Sequence, residues 1–200
     1  MRQDRGRVSL KYKTVVIDPP WNLNEGTDIG LQGGRLSKIP YITMKDHELL
    51  SFDINQFAAD SSLLFMWATA GKTKDGIPII ELAHRMVRAW GFTYRTLIYW
   101  KKRSDNPAIF IPFRRSLEPI LFCSRGISQI PPYGKYSDIF EASKTNHSEK
   151  PARFYQLLRS WTPTPRIDIF ARNAHEGFDG WGDEYVGEGA LAPYLKEKMR

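Results

Sequence analysis

The chain has 200 residues, 42% of them hydrophobic and 13 of them proline, which fits one α/β domain with a substantial core and several ordered loops. Twenty-nine Lys and Arg against 22 Asp and Glu give a formal charge of +7 and a pI near 9.5. That balance favours an acidic partner, of which nucleic acid is the commonest, although a merely basic soluble protein has the same composition. The single cysteine excludes an intramolecular disulfide framework, and no metal-ligand spacing accompanies it. No signal-peptide core opens the sequence and no apolar run reaches spanning length, so a cytoplasmic protein without membrane or metal is expected.

Residues 1–13 (Arg2, Arg5, Arg7, Lys11, Lys13) form a basic arm, either a solvated terminus or a contact for phosphates. Thr14 to Ile17 is a short, continuously apolar strand. Asp18-Pro19-Pro20-Trp21 then ends it, because proline lacks an N–H and fixes φ, and each proline restricts the residue before it. The result is a stiff turn at the carboxyl end of a strand, where open α/β sheets bind ligands. Asp18 and the Pro19 carbonyl offer two acceptors and Trp21 a flat face, a set that suits a planar amine such as the exocyclic NH2 of an unstacked nucleobase. A capping Asp on a proline turn over a core Trp fits the same residues.

Residues 22–40 make a long polar loop with Gly26, Gly30, Gly33 and Gly34. Its length suits a segment closing over substrate, with Arg35 and Lys38 near phosphate. Thr43 is read as the N-cap of a short helix carrying Asp46 and Glu48. A central strand follows at 62–68. A helix spans about 77–90, with apolar residues at 79, 80, 83, 86, 87 and 90 and Gly91 as its stop. His84 on this helix reads as a surface or half-buried side chain.

A strand at 92–102, a polar loop at 104–116 with Arg114 and Arg115, and a strand at 118–124 holding Cys123 as a core thiol come next. The 126–146 loop interleaves Lys135 with Tyr133 and Tyr136, a pattern for single-stranded or flipped nucleotides or simply a proline-stiffened surface loop. The stretch 147–161 brings a helix that Lys150-Pro151 start, with proline at an N1-like position and Phe154, Leu157, Leu158 and Trp161 as its buried stripe. Thr162-Pro163-Thr164-Pro165 stops it, and Arg166 to Ala171 is the last strand. No GxGxxG occurs, which counts against a dinucleotide oxidoreductase.

Asp18-Pro19-Pro20-Trp21 after a hydrophobic strand resembles the catalytic motif of amino-methyltransferases acting on N6 of adenine. The likeness continues through Pro40 to Met44, Leu63 to Trp67, Trp90-Gly91-Phe92, Tyr99 to Lys102, Glu118 to Phe122, His147 to Pro151, Ile169 to Arg172 and Gly180 to Glu184. In that order the chain is similar to the family of the catalytic subunit of mRNA N6-adenosine methyltransferase and its phage and bacterial DNA-modifying relatives. The resemblance implies a Rossmann-like S-adenosylmethionine-dependent methyltransferase fold, α/β and mostly parallel with helices on both faces, in circularly permuted motif order. It implies a methyltransferase domain over 14–185, with residues 186–200 as a tail.

It further implies Asp18, Pro19, Pro20 and Trp21 as catalytic residues. Asp18, Lys150, Arg172, Asn173, Gly182, Asp183 and Glu184 would bind S-adenosyl-L-methionine. Tyr41, Arg35, Lys38, Arg114 and Arg115 would bind substrate, and His147 would shape the cofactor loop. At Asp183 many relatives carry Asn, and a carboxylate accepts from a ribose hydroxyl but cannot donate. The implied activity is that of an adenine-specific DNA methyltransferase, with DNA favoured over RNA because no added recognition domain is present, and with a homodimer or helper subunit as possible partner. The alternatives are an RNA N6-adenosine or DNA N4-cytosine methyltransferase, or a silent nucleic-acid-binding partner subunit of the same fold.

Overall fold

The computed structural model describes residues 10–23, 43–103, 108–110, 113–127, 130, 134–143, 149–182 and 185. In chain order the elements are β1 (Tyr12–Ile17), α1 (Asp46–Ser51), a single 3-10 turn (Ile54–Gln56), β2 (Ala58–Trp67), α2 (Ile79–Ala89) and β3 (Thr93–Arg103). They continue with β4 (Ala108–Phe110), β5 (Phe113–Arg115), β6 (Leu117–Arg125), β7 (Ile139–Ser143), α3 (Ala152–Arg159), β8 (Arg166–Ile169) and β9 (Asp179–Trp181).

Seven strands form one sheet in the order β7-β3-β6-β2-β1-β8-β9, and β4 and β5 form a separate antiparallel pair. β1 pairs parallel with β2 and β8, β8 with β9, and β3 with β7. Only β6, antiparallel between β2 and β3, runs the other way. The sheet is thus mostly parallel and α/β, as expected. Its central strands read as apolar runs because both faces are covered.

One face packs on α1 and α2. Val15, Ile17, Leu64, Met66, Ile167 and Ile169 meet Leu49, Ile79, Leu82, Ala83, Met86 and Val87 there. The other face packs on α3, where Val16, Leu63, Phe65, Trp67, Ile98 and Ile120 meet Phe154, Tyr155 and Leu158. Each such aliphatic or aromatic side chain, once fully buried, contributes about 1.5–3 kcal/mol. Cys123 is a buried free thiol on the first face, and burial pushes its ionisation up to about 12, so it is an inert core residue.

From β1 the chain departs to one side through β2 and comes back on the other side as β8. A reversal of this kind opens a crevice at the carboxyl ends of the strands.

Several local expectations shift. β1 begins at Tyr12, inside the stretch read as an arm, because the Tyr12 hydroxyl donates to Asp179 at 2.8 Å and Lys11 Nζ donates to the Asn55 carbonyl at 2.6 Å. Lys45, not Thr43, occupies the N-cap of α1, and its N–H donates to Glu48 Oε2 at 2.6 Å. The helix expected to start at Lys150-Pro151 does so, with Pro151 as N-cap rather than at the first helical position, and it ends at Arg159, short of Trp161. The polar stretch 104–116 contains the β4–β5 pair, and the 126–146 loop contains the edge strand β7. His84 is half-buried, as expected, and packs against Tyr94 at 4.7 Å between ring centroids.

Candidate active site at the carboxyl edge of the sheet

Strand alternation sends residues two apart to the same face. On β1 this aligns Val16 with Asp18, one residue past the strand end, and register pairs Val16 with Asp168 of β8. On the antiparallel β6 the same face carries Glu118 and Ile120, and register pairs Glu118 with Trp100 of β3. Because β6 starts where its neighbours end, Glu118 arrives at the same edge as Asp18. Lys150, just before α3, is laid over these acids from above. Three strands and one helix entry therefore converge on a single charged cluster.

Lys150 Nζ lies 3.2 Å from Asp18 Oδ2, 3.5 Å from Glu118 Oε2 and 4.8 Å from the centre of the Trp67 ring. Lys102 Nζ reaches Glu118 Oε1 at 2.5 Å. Burial alone would favour neutral Lys150, but Asp18 and Glu118 outweigh it and hold the ammonium charged well above the usual lysine range. Burial raises Asp18 above the ordinary carboxylate range even against Lys150. Burial also opposes ionisation of Glu118, but Lys150 and Lys102 together bring that carboxyl below its ordinary range.

Behind Asp18 a pocket is lined by Asp18, Glu149, Lys150, Tyr155, Asp168, Phe170, Ala171, Arg172, Asn173 and His175. The Tyr155 hydroxyl donates to Asp168 Oδ2 at 2.7 Å, and Asp168 is 4% exposed. Burial lifts Asp168 to about 7 against the opposing Tyr155 hydrogen bond. Phe170, at the turn out of β8, has φ of 61°, a left-handed conformation rare for a bulky residue. Its ring packs against Phe52 at 5.3 Å and Trp181 at 5.5 Å, contacts that offset the backbone cost. Such outliers gather at ligand sites.

Of the residues named from sequence, Asp18, Lys150, Arg172 and Asn173 meet in this pocket. Gly182 lies against its back wall: a Cβ there would sit 2.6 Å from the Ala171 carbonyl oxygen and 3.1 Å from the Ala171 nitrogen. Two details of the proline turn differ from expectation. The Pro19 carbonyl accepts from the Trp21 N–H at 2.8 Å, so it is not idle, and one lone pair remains for a ligand. Trp21 is buried at 5% exposure within the α1–α2 core, which matches the alternative of a core Trp beneath the proline turn, so its ring acts as a wall of the turn rather than an open stacking plane.

Backbone contacts fix that turn from both sides. Met44 N–H donates to the Pro20 carbonyl at 2.9 Å, and Lys74 N–H to the Asn22 carbonyl at 2.8 Å. Arg114 and Arg115 lie on β5, away from the seven-stranded sheet's ladders. Tyr136 stacks on Trp161 at 5.7 Å, a packing role within the loop read for nucleotides. Arg35, Lys38, Tyr41, His147, Asp183 and Glu184 lie outside the described residues.

Sequence reasoning missed Glu118, Tyr155, Asp168 and His175 as site residues. Asp168 was legible as a lone acid inside the apolar strand Arg166–Ile169, and Glu118 as an acid opening another. Tyr155 gave no signal, since it falls outside the apolar stripe read for that helix and nothing local marks it as buried. Among the described residues no group of His, Cys, Asp and Glu could hold a metal ion, and no helix is long and apolar enough to cross a membrane.

A mostly parallel sheet with its pocket at the strand reversal defines the class of α/β proteins that bind ligands beyond the carboxyl ends of their strands. Within that class the chain belongs to the MT-A70 family, whose model matches residues 12–184, and the sheet is a methyltransferase fold. Type II methyltransferase M.MunI of a Mycoplasma species is 30% identical over 200 residues, covering 87% of this chain and 78% of that enzyme. The N(6)-adenosine-methyltransferase catalytic subunit METTL3 of Homo sapiens is 25% identical over 199 residues, 95% of this chain but 31% of that protein. A probable N(6)-adenosine-methyltransferase MT-A70-like protein of Oryza sativa subsp. japonica is 26% identical over 210 residues, 97% of this chain and 26% of its own length. The chain thus spans most of the bacterial relative and about a third or less of these two eukaryotic ones.

Proposed function

We propose that this protein transfers a methyl group from S-adenosylmethionine to N6 of adenine in nucleic acid, with DNA as the favoured substrate. The observation that carries the reading is the Lys150–Asp18 contact of 3.2 Å at the mouth of a pocket that also holds Arg172 and Asp168. Family membership and the likeness to a bacterial type II methyltransferase over most of its length support it.

The donor set fits the cofactor. Lys150 and Arg172 present cations for a carboxylate and hydroxyls, Asp168 an acceptor for an ammonium, and Asn173 a neutral amide at the rim. The close approach of Gly182 to Ala171 lets the ends of β8 and β9 form one wall without an intervening side chain. When bound, S-adenosylmethionine supplies a methyl group on a sulfonium, already a good leaving group.

The chain's own residues then have positional and electrostatic tasks. Asp18 and the remaining Pro19 lone pair accept the two amino hydrogens of the base and aim the nitrogen lone pair at the methyl donor. The Pro-Pro turn, clamped by Met44 and Lys74, keeps those acceptors from relaxing. Lys150 holds the Asp18 carboxylate in place, and burial makes that carboxylate a better resting place for the proton released after transfer. Neither a histidine base nor a covalent intermediate is needed. Trp21 shapes the turn from behind.

Incubation with labelled S-adenosylmethionine and separate DNA and RNA substrates, followed by nucleoside analysis, tests this directly. N6-methyladenine in DNA is the expected product. Label in N4-methylcytosine, in RNA alone or in neither polymer would overturn the assignment as stated.

A further inference from the structure

Two stacked aromatic rings and a carboxylate meet among the residues that line the pocket. Tyr155 and His175 rings lie parallel, with centroids 3.5 Å apart and planes 12° apart. The Tyr155 hydroxyl donates to Asp168 Oδ2 at 2.7 Å, and His175 Nε2 lies 3.8 Å from the same oxygen. Both contacts fall on Oδ2, which leaves Oδ1 to the pocket that Asp168 lines. Phe178 closes the edge of Tyr155 at 5.3 Å, so the phenol has little freedom to turn away.

We infer that Tyr155, clamped by His175, is a positioning residue that holds the Asp168 carboxylate by one oxygen and presents the other to a cationic group of the pocket's ligand. This rests on the reading of the pocket as the cofactor site. Tyr155 stays protonated, since burial and Asp168 raise it well above the usual phenol range, so it is a permanent donor. Burial lowers His175 against the pull of Glu149, and the imidazole contributes packing rather than charge. The other groups facing Asp168 are Asp18 from the end of β1, which opposes its ionisation, and Lys150 from the start of α3, which favours it. Tyr185 beyond β9 also feels the Asp168 charge. Burial sets Asp168 at about 7, and the Tyr155 hydrogen bond is the largest of the contributions that favour its ionised form.

The free protein tests the hold without any ligand. The carboxyl 13C resonance of Asp168, identified by its loss in Asp168→Asn, should titrate near 7 and move upward in Tyr155→Phe. His175→Phe, which keeps the stack, should retain the wild-type midpoint. Calorimetry with S-adenosylhomocysteine between about pH 5.5 and 7.5, below deprotonation of its own amine, then reads the consequence. Wild-type affinity should rise about twentyfold across that range, and Asp168→Asn should remove the rise. For a one-unit upward move, Tyr155→Phe should bind about tenfold more weakly at the acid end and about threefold at the neutral end. An unchanged midpoint in Tyr155→Phe, or an affinity loss equal at every pH, would overturn the proposal. A moved midpoint with no binding by the wild type at any pH would uphold the Tyr155 hold and overturn the cofactor reading.

Discussion

Lys150 Nζ stands 3.2 Å from Asp18 Oδ2 and also touches Glu118, so one ammonium joins the end of β1 to the start of β6. Removing it leaves two carboxylates facing each other with Lys102 as the nearest counter-charge. Breaking a buried pair from one side costs about 3–5 kcal/mol, and partial access here argues for the lower part of that range. Lys150→Ala should therefore lose about 3 kcal/mol of stability in urea unfolding. It should also lose cofactor affinity, by ~1.5–3 kcal/mol in calorimetry, and Arg172→Ala should show a similar affinity loss. Wild-type affinity in both variants would remove the proposed cofactor contacts.

Asp168 carries a stability cost that can be read from pH. It ionises at about 7 in the folded chain against about 3.9 in an unfolded one. Between those values the native state holds a proton that the unfolded state has released. The contribution of Asp168 is thus full below about pH 4 and is lost as pH rises toward 7. Asp168→Asn removes that loss, and should gain on the order of 2–4 kcal/mol relative to wild type at pH 8 with little difference near pH 4. Equal effects at the two pH values in urea unfolding would contradict the burial of this charge.

Gly182→Ala tests the wall between β8 and β9. The added Cβ meets the Ala171 backbone, which cannot swing aside as a side chain can. The segment from Phe170 to Arg172 must shift, and overpacking of this kind costs about 1–3 kcal/mol. Cofactor affinity and thermal midpoint should fall together. A variant with wild-type values for both would mean the wall is soft.

Affinity for nucleic acid should rest largely on phosphate contacts and weaken steeply with salt. Replacing Arg114 and Arg115 on β5 with Gln should flatten the plot of log affinity against log salt. The same slope in the double variant would turn these arginines away from the substrate.

What the sequence disclosed followed from local rules. The apolar run before Asp18 and the helical spacing of α2 are visible because strand and helix periodicities act over a few residues. Lys150, Arg172 and Asn173 were found through motif order alone. The meeting of Lys150 with Glu118 was not legible, because it depends on β6 running antiparallel so that its first residues reach the edge where β1 ends. Tyr155 was hidden because it lies beside the apolar stripe of its helix, and only the fold shows that it is buried and that its hydroxyl meets Asp168. β7 was missed because Ile139–Ser143 alternates weakly and gains its strand form from pairing with β3. The burial of Trp21 likewise depends on α1 and α2 closing over it.

The central claim is that Asp18 acts on the reacting amine and not chiefly on the cofactor. Asp18→Ala leaves the proline turn and its clamps in place, and Lys150 retains Glu118 as a partner. Measured side by side, S-adenosylhomocysteine affinity and the rate of N6-adenine methylation should separate. Binding should stay within a few-fold of wild type while transfer falls by on the order of a hundred- to a thousand-fold, the usual loss for one preorganised hydrogen-bonding group. A folded Asp18→Ala protein that methylates at near wild-type rate, or one that loses binding and transfer in equal measure, would contradict the account.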